Sequence, residues 1–449
     1  MGTTSKSRQL QRKSAETKKN SSSARRVFAL KAYKNASLRK ISPSHNLIWY
    51  HFGSKADLFY EVSQILQREL GHKIAAIAQE IRKKSTKQNF TCLVAACLDF
   101  RHTQKDAMMI INQNLGGTEN LKKGPAGLDL LHVLYDQLNR NLAATLNRPP
   151  ADRHLNYWCM SFSLMIVNFT GAWISNHEII RRLFQTDDVE QWIEDFLTDL
   201  FFPSFKTLQS TDNDCDYQDE VNLFPKNNLA HGWKHDAMDP DDKNPMTKGE
   251  STRRRIVTAA SNVFSKNDYD AASIRMVGKE GDIDFTLIHH YFKTKGDLFR
   301  AVAQDAFDEF VTHAYLWQEG LQHQTLKQGF AINTRRIVDY CLDHPHALCL
   351  ILQNIARVDG PVTELPGFEY LLRFFTEIEH LFTETSDKTL VKRWPFGQIF
   401  FIIYYVGGSH YLGQLITADT PYRDWIREAT IFILYPGFRR IAITQHKTY

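Results

Sequence analysis

Between Arg253 and Lys266, the apolar residues Ile256, Ala259, Ala260, Val263 and Phe264 fall at the i, i+3, i+4, i+7, i+8 spacing of one helical stripe, behind a polar start of Arg253, Arg254 and Arg255. The pattern predicts a first helix. Asn267-Asp268 breaks it, Ser273 is placed to cap a short second helix carrying Ile274 and Val277, and Gly281-Asp282 supplies a tight turn. Asp284 caps a third helix reaching Tyr291, and Thr294-x-x-Asp297 resembles a capping box that opens a fourth, with Leu298, Phe299 and Val302 on one face. Two short helices joined by a Gly-containing turn form a helix-turn-helix, whose second member fits a major groove about 12 Å wide.

The same pattern occurs earlier in the chain. LIWYHFGSKADLF (47–59) returns as LIHHYFKTKGDLF (287–299), and 24–41 aligns without a gap on 260–277, sharing Val27/Val263, Phe28/Phe264, Tyr33/Tyr269, Ser37/Ser273 and Arg39/Arg275. Downstream, Gln113-Asn114 returns as Gln353-Asn354, Gly127 as Gly367, Trp158 as Trp394, Gly171 as Gly407, Trp192-Ile193 as Trp425-Ile426 and Pro203 as Pro436. The echo predicts two copied units of roughly 200 residues, longer than a solenoid repeat and long enough for separate cores. The first copy lacks residues matching Gly278 to Gly281, so its second helix should lose one turn while the third keeps its facing. Asn20-Ser21-Ser22-Ser23 stands where the second copy has Ile256 to Ala259, so its first helix should lack the start of the apolar stripe.

Composition narrows the picture. The chain has 449 residues, of which 43% are hydrophobic, enough for two cores. Cys92, Cys97, Cys159, Cys215, Cys341 and Cys349 show no C-x-x-C spacing, and five lie in apolar helical patterns, which predicts reduced thiols in a cytoplasmic protein with no metal site. The polar, basic N-terminus does not read as a signal peptide, and Phe396 to Val406 is too short to cross about 30 Å of hydrocarbon, so no membrane partner is expected. Net charge is only +5, but residues 1–26 hold eight Lys/Arg against Glu16 alone, either a solvated tail or an arm for nucleic-acid phosphates. Residues 209–250, acidic and carrying Pro225, Pro240 and Pro245, read as a linker that extends on the order of 130 Å. The expected division is a basic arm (1–23), a first head (24–62) and body (63–208), the linker (209–250), then a second head (251–304) and body (305–449).

The order I-x-x-A-A-x-x-x-F, Tyr269, Ser273-x-x-x-Val277, Ile283, LIHHYF and Lys295-x-x-Leu298-Phe299 resembles the tetracycline-repressor (TetR) family in the head segments of both copies. The resemblance implies an all-α fold: two tandem units, each a helix-turn-helix DNA-binding domain followed by a helical ligand-binding and dimerisation domain, paired as an intramolecular pseudo-dimer. It further implies that Ser273 contacts double-stranded DNA and that Arg275, Phe285 and Thr286 face its bases, with Arg275 suited to a guanine edge and Phe285 to a thymine methyl. His289, His290 and Lys295 match positions that touch the sugar-phosphate backbone. Arg39, His45, Asn46, Trp49, Tyr50 and Lys55 occupy these places in the first copy, and Asn46 suits an adenine edge.

Behind each head the bodies are rich in aromatics. Phe100, Tyr135, Phe162, Phe169 and Trp173 in the first copy, and Phe374, Phe375, Phe401, Tyr404 and Tyr405 in the second, either pack as core or line a cavity for a small apolar effector. The last two helices of each copy (155–178 with 188–206, and 392–416 with 422–441) should pair with those of the other copy. Gly171-Ala172 and Gly407-Gly408 permit close approach or mark a kink. The expected function is a DNA-binding regulator, a repressor, using unlike heads on an asymmetric operator; the alternative is a non-sensing architectural protein with a degenerate first head. With no phosphate-cradling Gly loop, nucleophile elbow or metal-spaced His/Cys cluster, neither catalysis nor a cofactor is expected.

Overall fold

Capped amphipathic segments dominate the architecture. The computed structural model describes residues 19–42, 45–81, 86–117, 120–121, 124–209, 247–314, 316–355, 360, 362–376, 388–416 and 420–446. Apart from the antiparallel pair Asn120–Leu121 and Gly124–Pro125 and a few 3-10 turns, the regular structure described is α-helical. The first half comprises α1 (19–30), α2 (Leu38–Ile41), α3 (His45–Phe52), α4 (Lys55–Ile81), α5 (Thr86–Leu98), α6 (Phe100–Thr103), α7 (Lys105–Asn114), α8 (Leu128–Leu146), α9 (Arg153–Gly171), α10 (Trp173–Phe184) and α11 (Val189–Gln209). The second comprises α12 (Lys248–Phe264), α13 (Ile274–Gly281), α14 (Phe285–Tyr291), α15 (Lys295–Ala314), α16 (Leu326–Asp343), α17 (His346–Ile355), α18 (Phe368–Thr376), α19 (Lys388–Gly407), α20 (Ser409–Leu412) and α21 (Tyr422–His446).

Several boundaries differ from the sequence reading. α12 begins at Lys248, inside the expected linker, because Thr247 and Glu250 form a capping box: the Glu250 amide donates to Thr247 Oγ1 (3.2 Å) and the Thr247 amide to Glu250 Oε2 (2.8 Å). Helix is present from residue 19, inside the expected arm; residues 1–18 and 210–246 lie outside the described set. Its start is polar as read, yet Asn20 and Ser21 are buried, and Asn20 Nδ2 has no hydrogen-bond partner among the described residues. α4 and α15 run unbroken through the expected head-body boundaries, so each head is continuous with a rod of its body.

The two halves repeat the same contacts. Phe28, Tyr33 and Phe59 form an aromatic triad with centroid separations of 6.1, 5.0 and 5.3 Å; Phe264, Tyr269 and Phe299 form another at 6.4, 4.9 and 5.0 Å. Asn114 Oδ1 accepts from the Tyr33 amide, and Asn354 Oδ1 from the Tyr269 amide, both at 2.8 Å, tying each head to its body. These pairs span 81 and 85 residues. Trp158 Nε1 donates to the Phe201 carbonyl and Trp394 Nε1 to the Leu434 carbonyl, each at 3.2 Å and each two residues before a helical proline, Pro203 or Pro436.

The glycines of the long helices act within each half. A Cβ on Gly171 would lie 2.6 Å from the Met108 carbonyl, and one on Gly407 would lie 3.3 Å from the Leu348 carbonyl and 2.9 Å from Leu352 Cδ2. The chain also turns there, as the kink left open by the sequence would have it: α9 and α10 meet at 91°, and α19 gives way to α20. No single described helix is long and apolar enough to cross a membrane; α9 and α10 pass only as this bent pair, and α9 is almost wholly buried.

Helices α9 and α11 pack on α19 and α21, and the contacts are reciprocal. Tyr157 donates to Glu428 (2.5 Å) and meets Trp425 edge-on, while its counterpart Arg393 reaches Asp199 (2.9 Å) and Asp195 (3.2 Å) and lies over Trp192. At the centre Tyr404 OH contacts Asn168 Oδ1 (2.7 Å) and Asn112 Oδ1 (3.0 Å). One phenolic proton cannot serve both oxygens at once. Beside it Ser161 and Tyr405 share a hydrogen bond (2.7 Å), and Phe169 packs on Phe400.

His154 stacks on Phe432 in this seam at 4.6 Å. Burial, with help from Arg153 and Arg148, lowers its pKa against the opposing pull of Asp152 and Glu428. A base whose folded pKa is depressed contributes stability above its unfolded value, about 6.5, that is lost as pH falls towards the folded value. The melting temperature should therefore drop between pH 7.5 and 5.5, and less so in His154→Phe; an equal drop in both proteins excludes the residue as its source.

Candidate nucleic-acid interface

The second head is built around Ile288. Its side chain is buried, as are those of Val277, Ile283 and Phe292 around it and of Ile256, Ala260 and Phe299 in the neighbouring helices, which fixes which side of α14 faces outward. Ser273 caps α13 by accepting from the Met276 amide (3.3 Å), and Asp284 caps α14 by accepting from the Thr286 amide (2.7 Å). The Thr286 hydroxyl and amide hold the Asp284 carboxyl below its usual range. Asp282, not Gly281, takes the left-handed conformation of the turn (φ 49°). Gly281 is needed for another reason: a Cβ there would lie 2.7 Å from Ile283 and 2.8 Å from Ala259.

This packing leaves Ser273, Arg275, Phe285, Thr286, His289 and His290 exposed on α13 and α14. Phe285, 45% exposed, meets His289 edge-on at 4.4 Å, one turn along α14. Met276 and Leu287 are large apolar side chains exposed beside them, which the sequence reading missed; only the burial of Ile288 reveals Leu287 as outward-facing. Lys295 is placed differently from expectation. Half-buried, it donates to the carbonyls of Tyr269 (2.8 Å) and Ala272 (3.2 Å) and lies over the Tyr269 ring, bracing the loop between α12 and α13.

In the first head α2 is a single turn, against eight residues in α13, as the missing residues require. The facing of α3 is kept: Ile48 is buried like Ile288, while Trp49 (52%) and Tyr50 (71%) are exposed where the second head has His289 and His290. Arg39 and Asn46 are exposed as well; the His45 side chain lies outside the described set. Lys55 repeats the Lys295 brace, donating to the Lys34 carbonyl (3.3 Å) and lying 4.5 Å from the Tyr33 ring centroid. The heads meet where Asn35 Nδ2 donates to Asp268 Oδ2 (2.8 Å).

The expected aromatic cavity is redrawn by the structure. One cavity of about 210 Å³ lies in the first body between α4, α5, α8, α9 and α11, lined by Phe90, Cys97, Phe100, Leu138, Phe162 and Ser163 among others. Phe100 and Phe162 were expected there. Tyr135 instead donates to Asn156, Phe169 packs on Phe196 and Phe400, and Trp173 lies under Arg101. Phe401, Tyr404 and Tyr405 belong to the seam, because their face of α19 meets α9 and α11; the side chains of Phe374 and Phe375 lie outside the described set. Among the described residues no cluster of His, Cys, Asp and Glu suits a metal ion.

Capped helices, a left-handed turn and an outward α14 together define a helix-turn-helix DNA-binding domain. Residues 256–302 match the family model described as bacterial regulatory proteins, tetR family. No curated protein matches the chain. Among solved structures the chain is similar to a TetR-like transcriptional regulator from Rhodococcus sp. RHA1, at 14% identity and a TM-score of 0.32, over 43% of this chain and 99% of that one.

Proposed function

We propose that this DNA-binding regulator is a repressor formed of two copied tetR-type units, paired within one chain as a pseudo-dimer and reading an asymmetric operator with unlike heads. The observation that carries the proposal is the outward face of α13 and α14 in the segment that matches the family. The recurring triads, Asn114/Asn354 ties and Trp158/Trp394 bonds support duplication. The reciprocal Tyr157 and Arg393 contacts support two-fold-like pairing, in which position i meets j and j meets i. Unlike exposed residues at a base-facing position, Asn46 against Thr286, favour unlike half-sites roughly 34 Å apart. A small apolar effector that spreads the heads has to break the Asn35–Asp268 bond.

Selecting bound DNA from a random pool tests this reading. Two dissimilar arms bound by one chain are expected; a palindrome that needs two chains would refute it. Arg275→Ala should weaken binding by about 1–3 kcal/mol and relax one base position. Lys295→Ala should weaken all sequences alike and also lower the stability of the second head, since its carbonyl contacts are internal. Unchanged affinity in Arg275→Ala overturns the base-reading role. The second reading, an architectural protein with a degenerate first head, is favoured by the one-turn α2. A selected site with a single conserved arm would support it.

A further inference from the structure

Four hydrogen bonds close a ring where the heads join the bodies. Asn114 Oδ1 accepts from the Tyr33 amide and Asn354 Oδ1 from the Tyr269 amide, so the end of α7 holds a loop of the first head and the end of α17 a loop of the second. The other two bonds cross between the halves. Gln353 Nε2 donates to the Gly116 carbonyl (2.5 Å), joining the ends of α17 and α7, and Asn35 Nδ2 donates to Asp268 Oδ2 (2.8 Å), joining the two loops. Each loop is stiff in its own right. Lys55 and Lys295 brace their carbonyls, and the Asn35 amide donates to the Ala32 carbonyl (2.9 Å). Asp268 Oδ1 accepts from the Ala271 amide (2.8 Å), which leaves Oδ2 for Asn35. Asn35 and Asp268 are both half-buried, and a hydrogen bond to a carboxylate is among the stronger kinds.

The head-to-head bond is one-sided. In the gap-free alignment of 24–41 on 260–277, Asn35 falls on Ala271 and Asp268 on Ala32. The mirrored contact would therefore pair two alanines, whose side chains carry no donor or acceptor. Identical units paired about a two-fold axis make each such contact twice; here unlike loops make it once. Neither residue lies on α2, α3, α13 or α14, so the bond is separate from the outward faces of the heads.

We infer that Asn35 and Asp268 are positioning residues that hold the two heads at one separation and so fix the spacer length accepted between the arms of the operator, an inference that rests on the two-headed reading above. A base pair added between the arms moves the far arm by about 3.4 Å and turns it by about 35°. Heads joined through stiff loops cannot follow that displacement without opening the ring, so one arm loses its base contacts. Removing the Asn35 amide opens the ring at its head-to-head link and leaves the Asn114 and Asn354 ties in place.

The test titrates the full chain and Asn35→Ala, at fixed salt, with duplexes carrying both selected arms at spacers lengthened or shortened by one to three base pairs, and with duplexes carrying one arm alone. Wild-type protein should favour one spacer by at least about tenfold over its neighbours, which is what the loss of one good base contact is worth. In Asn35→Ala the preference should fall to about threefold or less, while affinity for single-arm duplexes stays within about twofold, which certifies that both heads are folded. Asn35→Asp sets two carboxylates face to face and should flatten the profile at least as far. A two-armed site whose spacer profile is the same in Asn35→Ala, or a wild-type protein that accepts every spacer alike, overturns the inference and leaves the two-headed reading standing. A selected site with a single arm refutes the two-headed reading itself, and the spacer claim falls with it.

Discussion

Tyr404→Ala should lower the free energy of unfolding by about 3–5 kcal/mol, the cost of emptying a fully packed aromatic site. Tyr404 is buried at the centre of the seam, so the deletion leaves a cavity between the halves and strips Asn112 and Asn168 of their shared partner. Tyr404→Phe keeps the ring and should cost only about 1–3 kcal/mol, from the amides left unpaired. Denaturant unfolding followed by tryptophan fluorescence reads both, since Trp158, Trp192, Trp394 and Trp425 lie in or beside the seam helices. If Tyr404→Ala unfolds at the wild-type midpoint, the seam contributes nothing to stability and the pairing of the halves is not what holds the chain together.

Gly278→Val should abolish most specific DNA binding while leaving the bodies folded. A Cβ at this position would sit 2.8 Å from the Ile283 carbonyl, in the turn that leads into α14, and 3.7 Å from Ile288 Cδ1 on that helix. Backbone cannot yield as a flexible side chain does, so the turn has to move; overpacking of this kind costs about 1–3 kcal/mol, and a displaced recognition helix loses several base contacts together. Affinity for the selected operator should fall roughly 10- to 100-fold, each tenfold step being about 1.4 kcal/mol. Gel-shift titration at fixed salt checks this, and circular dichroism should show helix content unchanged. Wild-type affinity in the variant would mean that the second head is not the principal reader.

The first head makes a natural comparison because the residues matching Gly278 to Gly281 are missing there. Its α3 nonetheless keeps Ile48 buried and Trp49 and Tyr50 outward, since a four-residue loss is close to a whole helical turn. That outcome was legible in the sequence. So were the caps at Ser273 and Asp284 and the Thr294-x-x-Asp297 box, because capping depends on residues within a few positions of one another. The start of α12 was missed although its Thr247–Glu250 box is equally local; the acidic composition around it pointed to a linker instead.

By itself the sequence determined the helical class and the short capped helices of the second head. All of these follow from apolar spacing and capping chemistry carried by neighbouring residues. Only the tertiary structure decided what each buried aromatic touches: Phe162 lines a cavity, whereas Tyr404 and Tyr405 join the halves, although all three sit in equally apolar helical stretches. It alone turned Lys295 inward onto the carbonyls of Tyr269 and Ala272. Periodicity tells which face of a helix avoids water; which surface it then meets depends on contacts between residues more than 200 positions apart, such as Asn168 with Tyr404, and no local pattern encodes those.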